Sequence, residues 1–250
     1  MNRVTILLSA LVLALTAGAA QARVMGSEKD VAKVVSFGGS CARCELSGKK
    51  LTNARFIGAN FAHSVMIGSD LRGASFMGSN FQSADLTRAD LRSASMMGAN
   101  FGSAVFINAQ LDGIEAAGAN FNGADLSKAE MTGAEMPGAN LVGAVLNGAK
   151  LGGAEMTGAN LSRVEASRAD FSGADLKAAN LGGGDFQRAS FRDADLKAAN
   201  LGRSDFSGAK GLTQSQLNEA CGDRSTELPK GLSVRTCKAH VVIKRIARPR

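Results

Sequence analysis

Ala99-Asn100-Phe101, Ala119-Asn120-Phe121 and Ala139-Asn140-Leu141 are successive appearances of one motif. It returns every twentieth residue, at Asn60, Asn80, Asn100, Asn120, Asn140, Asn160, Asn180 and Asn200. The following residue runs Phe61, Phe81, Phe101, Phe121, Leu141, Leu161, Leu181, Leu201, and the preceding one is Ala or Ser. A shorter period is nested inside: Leu, Phe or Met recurs every fifth residue, from Leu46, Leu51, Phe56, Phe61 and Met66 on to Phe206.

The two periods explain each other. A spacing of five suits neither the helical 3.6 nor the strand's 2. If each five residues form one short extended side and a corner, four sides close a coil of about twenty residues, and coils stack at ~4.8 Å. Residues twenty apart then lie above one another, and the asparagines form a column that a helical solenoid would not produce. The expected fold is all-β: a four-sided β-helix over 46–210, about eight coils and roughly 40 Å long.

Ala124-Asp125-Leu126-Ser127-Lys128, with the recurring Gly-Ala-Asn-Leu and Gly-Ala-Asp-Leu, resembles the pentapeptide-repeat proteins. The resemblance covers about two thirds of the chain and persists for more than thirty units. It implies a right-handed quadrilateral β-helix with the central Leu or Phe, and the Ala two residues before it, pointing inward.

Volume accounts for those choices. A coil this narrow must set a large side chain against a small one, and the small slot is mostly Ala, as at Ala124, Ala144 and Ala174, with Ser64, Ser69 and Ser79 as variants. Two units invert together: Ile114 comes with Ala116, and Val164 with Ala166. Volume-conserving exchange is what a packed core accepts. A second inward column carries Phe56, Phe76, Met96, Ala116, Met136, Met156, Leu176 and Leu196. Its methionines face a closed interior without polar partners and read as packing, not as soft ligands.

The flanks break the repeat. Residues 1–22 read as a signal peptide, with Arg3 at a charged start, an apolar run from Val4 to Ala17, and Ala20-Gln21-Ala22 as the cleavage site. That run is short of the ~20 residues a membrane span needs, so a periplasmic or secreted protein beginning at Arg23 is expected. Residues 23–45 are an N-terminal cap, with Ser27 and Asp30 opening a short helix through Val31, Val34 and Val35. Such a cap covers the first coil. Cys41 and Cys44 fall in the large and small inward registers, as two core cysteines or a local disulfide. Residues 211–237 form a second cap, in which Thr213 and Gln216 make a capping box for a helix through Ala220. Beyond it, Cys221 and Cys237 bracket a loop and are expected to join as a disulfide in an oxidising compartment. The resembling family often ends in a similar Cys-Gly-Asp segment. Residues 238–250 are a basic, partly apolar tail with Lys244, Arg245 and Arg248, suited to weak contact with an anionic surface.

Function must reside outside the coil. Glu115, Glu135, Glu155, Asp175 and Asp195 form an outward column. Lys177 and Lys197 stand ready to neutralise the last two, while the three glutamates have no such neighbour. Arg88 with Asp90, Lys128 with Glu130, and Arg168 with Asp170 are read as surface ion pairs. His63 and His240 stand near opposite ends, and no nucleophile–base pair, phosphate loop or metal-ligand cluster is apparent. No enzyme, cofactor or resident metal is expected. The absence of Trp and Tyr argues against specific nucleic-acid binding.

The reading is an exported scaffold for an unidentified protein partner, with a homodimer left open. Two rivals are a DNA mimic that binds a topoisomerase, as some relatives are, and a cation-binding protein using Glu115, Glu135 and Glu155. Mimicry needs an acidic surface, whereas acidic and basic residues balance between Leu46 and Lys210 and the basic excess sits in the tails.

Overall fold

The structure, a computed structural model, describes residues 38–237 and the backbone of Arg23–Val24. The signal peptide expected at 1–22, the helix expected to begin at Ser27, and the basic tail at 238–250 lie outside the described residues.

Parallel bridges form at every fifth residue and join each to the one twenty further on, from Ser40 with Asn60 to Ser190 with Lys210. A coil therefore takes twenty residues and has four bridging positions. At the N-terminal end β1 (Arg23–Val24) pairs in parallel with β2 (Cys44–Glu45). Past Lys210 the spacing loosens: Asn200 pairs with Cys221 and Asp205 with Glu227.

One repeat unit shows why the chain turns every five residues. Phe61 N–H donates to Asn80 O at 2.7 Å in the next coil, and His63 N–H to Gln82 O at 2.9 Å. Val65 N–H reaches back to Cys44 O at 2.9 Å, and Ser64 N–H closes the corner on Phe61 O at 3.0 Å. The corner bond, with left-handed φ (58°) at His63, has the features of a type II turn. Only Ala62 N–H has no backbone acceptor, and the side chain of Asn60 takes it, Oδ1 accepting at 3.1 Å. A buried or half-buried N–H needs a partner, and a short carbonyl or carboxylate two residues earlier supplies one. Asp fills the same role: Asp85 accepts from Thr87 N–H at 2.9 Å, and Asp125 from Ser127 N–H at 2.9 Å.

The interior is sealed. Phe61, Phe81, Phe101, Phe121, Leu141, Leu161, Leu181 and Leu201 are fully buried, as are Ala124 and Ala144. The phenylalanine rings stack, with centroids 4.8 Å apart for Phe61–Phe81, 5.0 Å for Phe81–Phe101 and 5.1 Å for Phe101–Phe121. Each such burial contributes on the order of 1.5–3 kcal/mol before entropy is subtracted. The inverted units are buried too, Ile114 and Val164 in the small slot and Ala116 and Ala166 in the large one. The exchange loosens the corner: the bond from Ile114 N–H to Leu111 O stretches to 3.4 Å.

The C-terminal segment lies over the last coil. Helix α1 (Gln214–Glu219) starts at Thr213, whose side chain accepts from Gln216 N–H while Gln216 Oε1 accepts from Thr213 N–H at 2.7 Å. Gln216 also donates through Nε2 to the carbonyls of Phe191 and Ala194, at 2.9 and 2.8 Å. The capping residue thereby ties the helix to the coil beneath, and Leu217 is buried against it.

Candidate interaction surface

The bridging positions place the sequence-derived residues in four outward columns. The asparagine column is a ladder: Asn80 Nδ2 donates to Asn60 Oδ1 at 3.3 Å, Asn100 to Asn80 at 3.0 Å, Asn120 to Asn100 at 2.8 Å and Asn140 to Asn120 at 3.1 Å. It resumes with Asn180 to Asn160 at 3.3 Å and Asn200 to Asn180 at 3.0 Å. An amide both donates and accepts, so one Asn serves its own corner and the coil above. Its amides are occupied internally and offer little to a ligand.

Glu115, Glu135 and Glu155 bridge one to the next in the ladder and are exposed. None of the three makes the corner bond that Asp and Asn make, and none of the three carboxylates has a partner among the described residues. Asp175 and Asp195 differ: Lys177 Nζ lies 2.8 Å from the first and 3.2 Å from the second. Among the described residues no three His, Cys, Asp or Glu side chains are grouped to hold a metal ion.

None of the other three expected ion pairs forms. Asp90 pairs with Arg92 at 2.6 Å and with Arg72 at 3.6 Å, not with Arg88. Glu130 pairs with Lys150, one coil on, at 2.7 Å, not with Lys128. Arg168 and Asp170 likewise form no pair. Arg88, Lys128 and Arg168 occupy left-handed corners, with φ of 57°, 56° and 61°. The corner before a carboxylate turns its side chain away, whereas the residue two beyond, or twenty beyond, lies alongside. A hydrogen bond from Arg72 holds Asp70 below the usual carboxylate range, against the opposing effect of burial. Arg92 does the same for Asp90.

All four cysteines are bonded, Cys41 to Cys44 and Cys221 to Cys237. The first bond occupies a large and a small inward slot at the end of the coil stack and is buried. His63 stands at a corner with φ 58°. His240 and the basic residues Lys244, Arg245 and Arg248 lie outside the described residues.

One surface feature escaped the sequence reading. Ile57, Met77 and Met97 are the large apolar side chains left exposed among the described residues, at 38%, 38% and 37%. They occupy one corner row, which continues through Ala117, Pro137 and Thr157. The signal was available: each is a large apolar residue directly after an inward one, where the repeat otherwise favours small or polar residues.

The family model for pentapeptide repeats (8 copies) matches six overlapping segments, 40–78, 54–92, 74–112, 104–143, 139–177 and 169–208. The chain belongs to the pentapeptide-repeat family. Among solved structures, this pentapeptide-repeat protein is similar to HetL, a pentapeptide repeat protein involved in heterocyst differentiation regulation in the cyanobacterium Nostoc sp. strain PCC 7120. The identity there is 29%, over 75% of this chain and 84% of HetL, with a TM-score of 0.44. It is 22% identical to trypsin-treated QnrB1, a plasmid-mediated fluoroquinolone resistance protein, over 72% of this chain and 90% of that one, with a TM-score of 0.38. A pentapeptide repeat protein of the Arabidopsis thaliana thylakoid lumen is 30% identical over 34% of this chain and 63% of its own length, with a TM-score of 0.30. These overlays are loose and lend the protein no function. No curated protein sequence matches the chain. Among the described residues no helix is long and apolar enough to cross a membrane.

Proposed function

We propose that this pentapeptide-repeat protein is an exported, non-catalytic scaffold. In this reading it is a right-handed, four-sided β-helical rod with helical lids, and its outward columns meet a protein of the cell envelope or the exterior. The carrying observation is the sealed interior. The large side chains of the coils are buried together, so chemistry with a partner is left to the outward positions. The outward Asn and Asp side chains are largely spent on corners, rungs and ion pairs, which suits a surface read by shape. Two disulfides agree with an oxidising compartment, and the apolar run at Val4 to Ala17 agrees with export.

The test is cell fractionation with N-terminal sequencing, followed by a pull-down from the envelope fraction. A processed chain starting at Arg23 that retains a reproducible envelope protein is the expected result. An unprocessed cytoplasmic chain would overturn export. Loss of the captured protein on unfolding the bait, but not on altering its outward columns, would overturn the scaffold reading.

A further inference from the structure

The side that follows the asparagine ladder carries a pattern with twice the period of the coil. Its outward column alternates Val65, Asp85, Val105, Asp125, Val145, Glu165, a repeat of forty residues. The corner that ends this side alternates in step. Ile67 and Ile107 share coils with Val65 and Val105, while Arg88, Lys128 and Arg168 share coils with Asp85, Asp125 and Glu165. The next coil adds Asp185 with Arg188. The face is therefore striped across the rod, apolar and zwitterionic by turns. In each of these charged stripes the acid stands on the column and the base on the corner.

Packing within one copy does not call for such stripes. The coil needs a period of twenty, and like charges stack without alternation elsewhere, as Glu115 on Glu135 on Glu155. The bases are also unused within the copy. Arg88, Lys128, Arg168 and Arg188 are exposed, and their side chains have no hydrogen bond or ion pair among the described residues. Glu165 is exposed and equally unpartnered. Asp85 and Asp125 each spend one oxygen on a corner N–H and keep the other.

The stripes are self-complementary in one arrangement. A two-fold axis running along the rods, between column and corner, sets each column residue of one copy against the corner residue of the same coil in the other. Asp85 then meets Arg88, Asp125 meets Lys128 and Glu165 meets Arg168, each contact occurring twice. Val65 and Val105 meet Ile67 and Ile107. An antiparallel pair with its stripes in register would bring acid to acid and base to base, and a slip of one coil would set every charge against an apolar stripe. From Glu45 to Asp205 the face is eight steps of ~4.8 Å, about 38 Å long. With side and corner about 12 Å wide, the two copies together bury roughly 900 Å², in the range of weak, reversible pairs.

We propose that two copies of this chain pair side by side through this face, parallel and in register. The dimer leaves the asparagine ladder and the Glu115, Glu135 and Glu155 column free, and it depends neither on export nor on an envelope partner.

Sedimentation equilibrium of the full chain, from micromolar to millimolar concentration, tests this. The parent should show a reversible monomer–dimer equilibrium that weakens in high salt. Arg168→Glu sets an acid against Glu165 of the other copy, and Glu165→Arg sets a base against its Arg168. Each variant alone should dimerise at least about tenfold more weakly. An equimolar mixture of the two restores opposite charges and should form a mixed dimer with the parent's affinity, which also shows that both variants are folded. A parent that stays monomeric at millimolar concentration overturns the proposal, as does a mixture no tighter than the single variants. A dimer that both variants form as tightly as the parent would place the contact on another surface. One tightened by Arg168→Glu would mark the antiparallel pair, and either result overturns the proposal.

Discussion

The hydroxyl of Ser79 donates to the carbonyl oxygen of Phe56 in the preceding coil and accepts the N–H of Ala59 at 3.0 Å. It stands in the place of the corner bond that Ala59 would otherwise close on Phe56. Ser64, in the same small slot of another unit, is equally buried, yet its Oγ has no partner. The two serines should respond to alanine in opposite directions. Ser79→Ala leaves a buried N–H and carbonyl to find each other again and should cost about 1–2 kcal/mol. Ser64→Ala removes an orphaned hydroxyl and should be neutral, or stabilising by up to about 1 kcal/mol. Chemical denaturation of both variants measures this, and equal losses would refute it.

Gly184 takes the small slot where alanine is usual, because a methyl there would come within 2.6 Å of Phe186 Cε2. Gly184→Ala should therefore cost roughly 1–3 kcal/mol by overpacking. Ala124→Leu should cost a similar amount for the same reason. The inverted unit provides a stricter test. Ile114→Ala and Ala116→Leu should each destabilise alone, and the double variant should recover much of the loss. Simple additivity in that cycle would show that the two slots do not share one space.

Asn120 donates to Asn100 Oδ1 at 2.8 Å and accepts from Asn140 Nδ2 at 3.1 Å and Asn122 N–H at 3.2 Å. Asn120→Asp keeps the acceptor, loses the donor and sets a carboxylate against an amide oxygen. The variant should melt lower than the parent at neutral pH, with the gap narrowing as the new carboxyl protonates below about pH 4. A pH-independent gap would contradict the rung geometry.

Asp70 and Asp90 titrate below their ordinary values because of Arg72 and Arg92. A group with a depressed folded pKa favours the fold fully above its unfolded pKa, near 3.9. The contribution disappears as pH falls through the lower folded value. Melting curves of the parent and of Asp70→Asn should thus differ most above about pH 5 and converge toward pH 2. Because the pairs are largely exposed, the difference should be small and should shrink in high salt.

The bond between Cys221 and Cys237 spans 16 residues of a segment with few buried side chains. Replacing both with serine should cost about 2–3 kcal/mol by the loop-entropy estimate. Hydrogen exchange should rise first around Gly222 and Thr236 while the coils near Asn120 stay protected. Uniform loss of protection along the chain would contradict this local role.

Much of the coil was legible because its cause is spacing. Asn60 to Asn200 and the Leu and Phe that follow are fixed by the geometry of stacking, and stacking leaves a period in the sequence. The ion pairs were not legible in the same way. Arg88 is near Asp90 in sequence, but the left-handed corner at Arg88 sends its side chain elsewhere, and a linear reading cannot see that turn. The purpose of Asn60 was half visible: its stacking was expected, its bond to Ala62 N–H was not. The presence of Asp at the equivalent position of other units was the clue, since Asp and Asn share little except an oxygen at that distance. The exposed row of Ile57, Met77 and Met97 shows in the sequence only as single apolar residues directly after the inward Phe56, Phe76 and Met96, a period that the inward residues share.

The pairing of each bridging residue with the one twenty further on makes insertions and deletions act in quanta. Adding twenty residues lengthens the stack and leaves every column continuous. Adding five advances everything downstream by a quarter of a coil, so that asparagines meet another face's residues and the glutamates are carried to a different side. Length in this molecule can drift freely only in whole storeys, and any finer change rewrites its entire outer address.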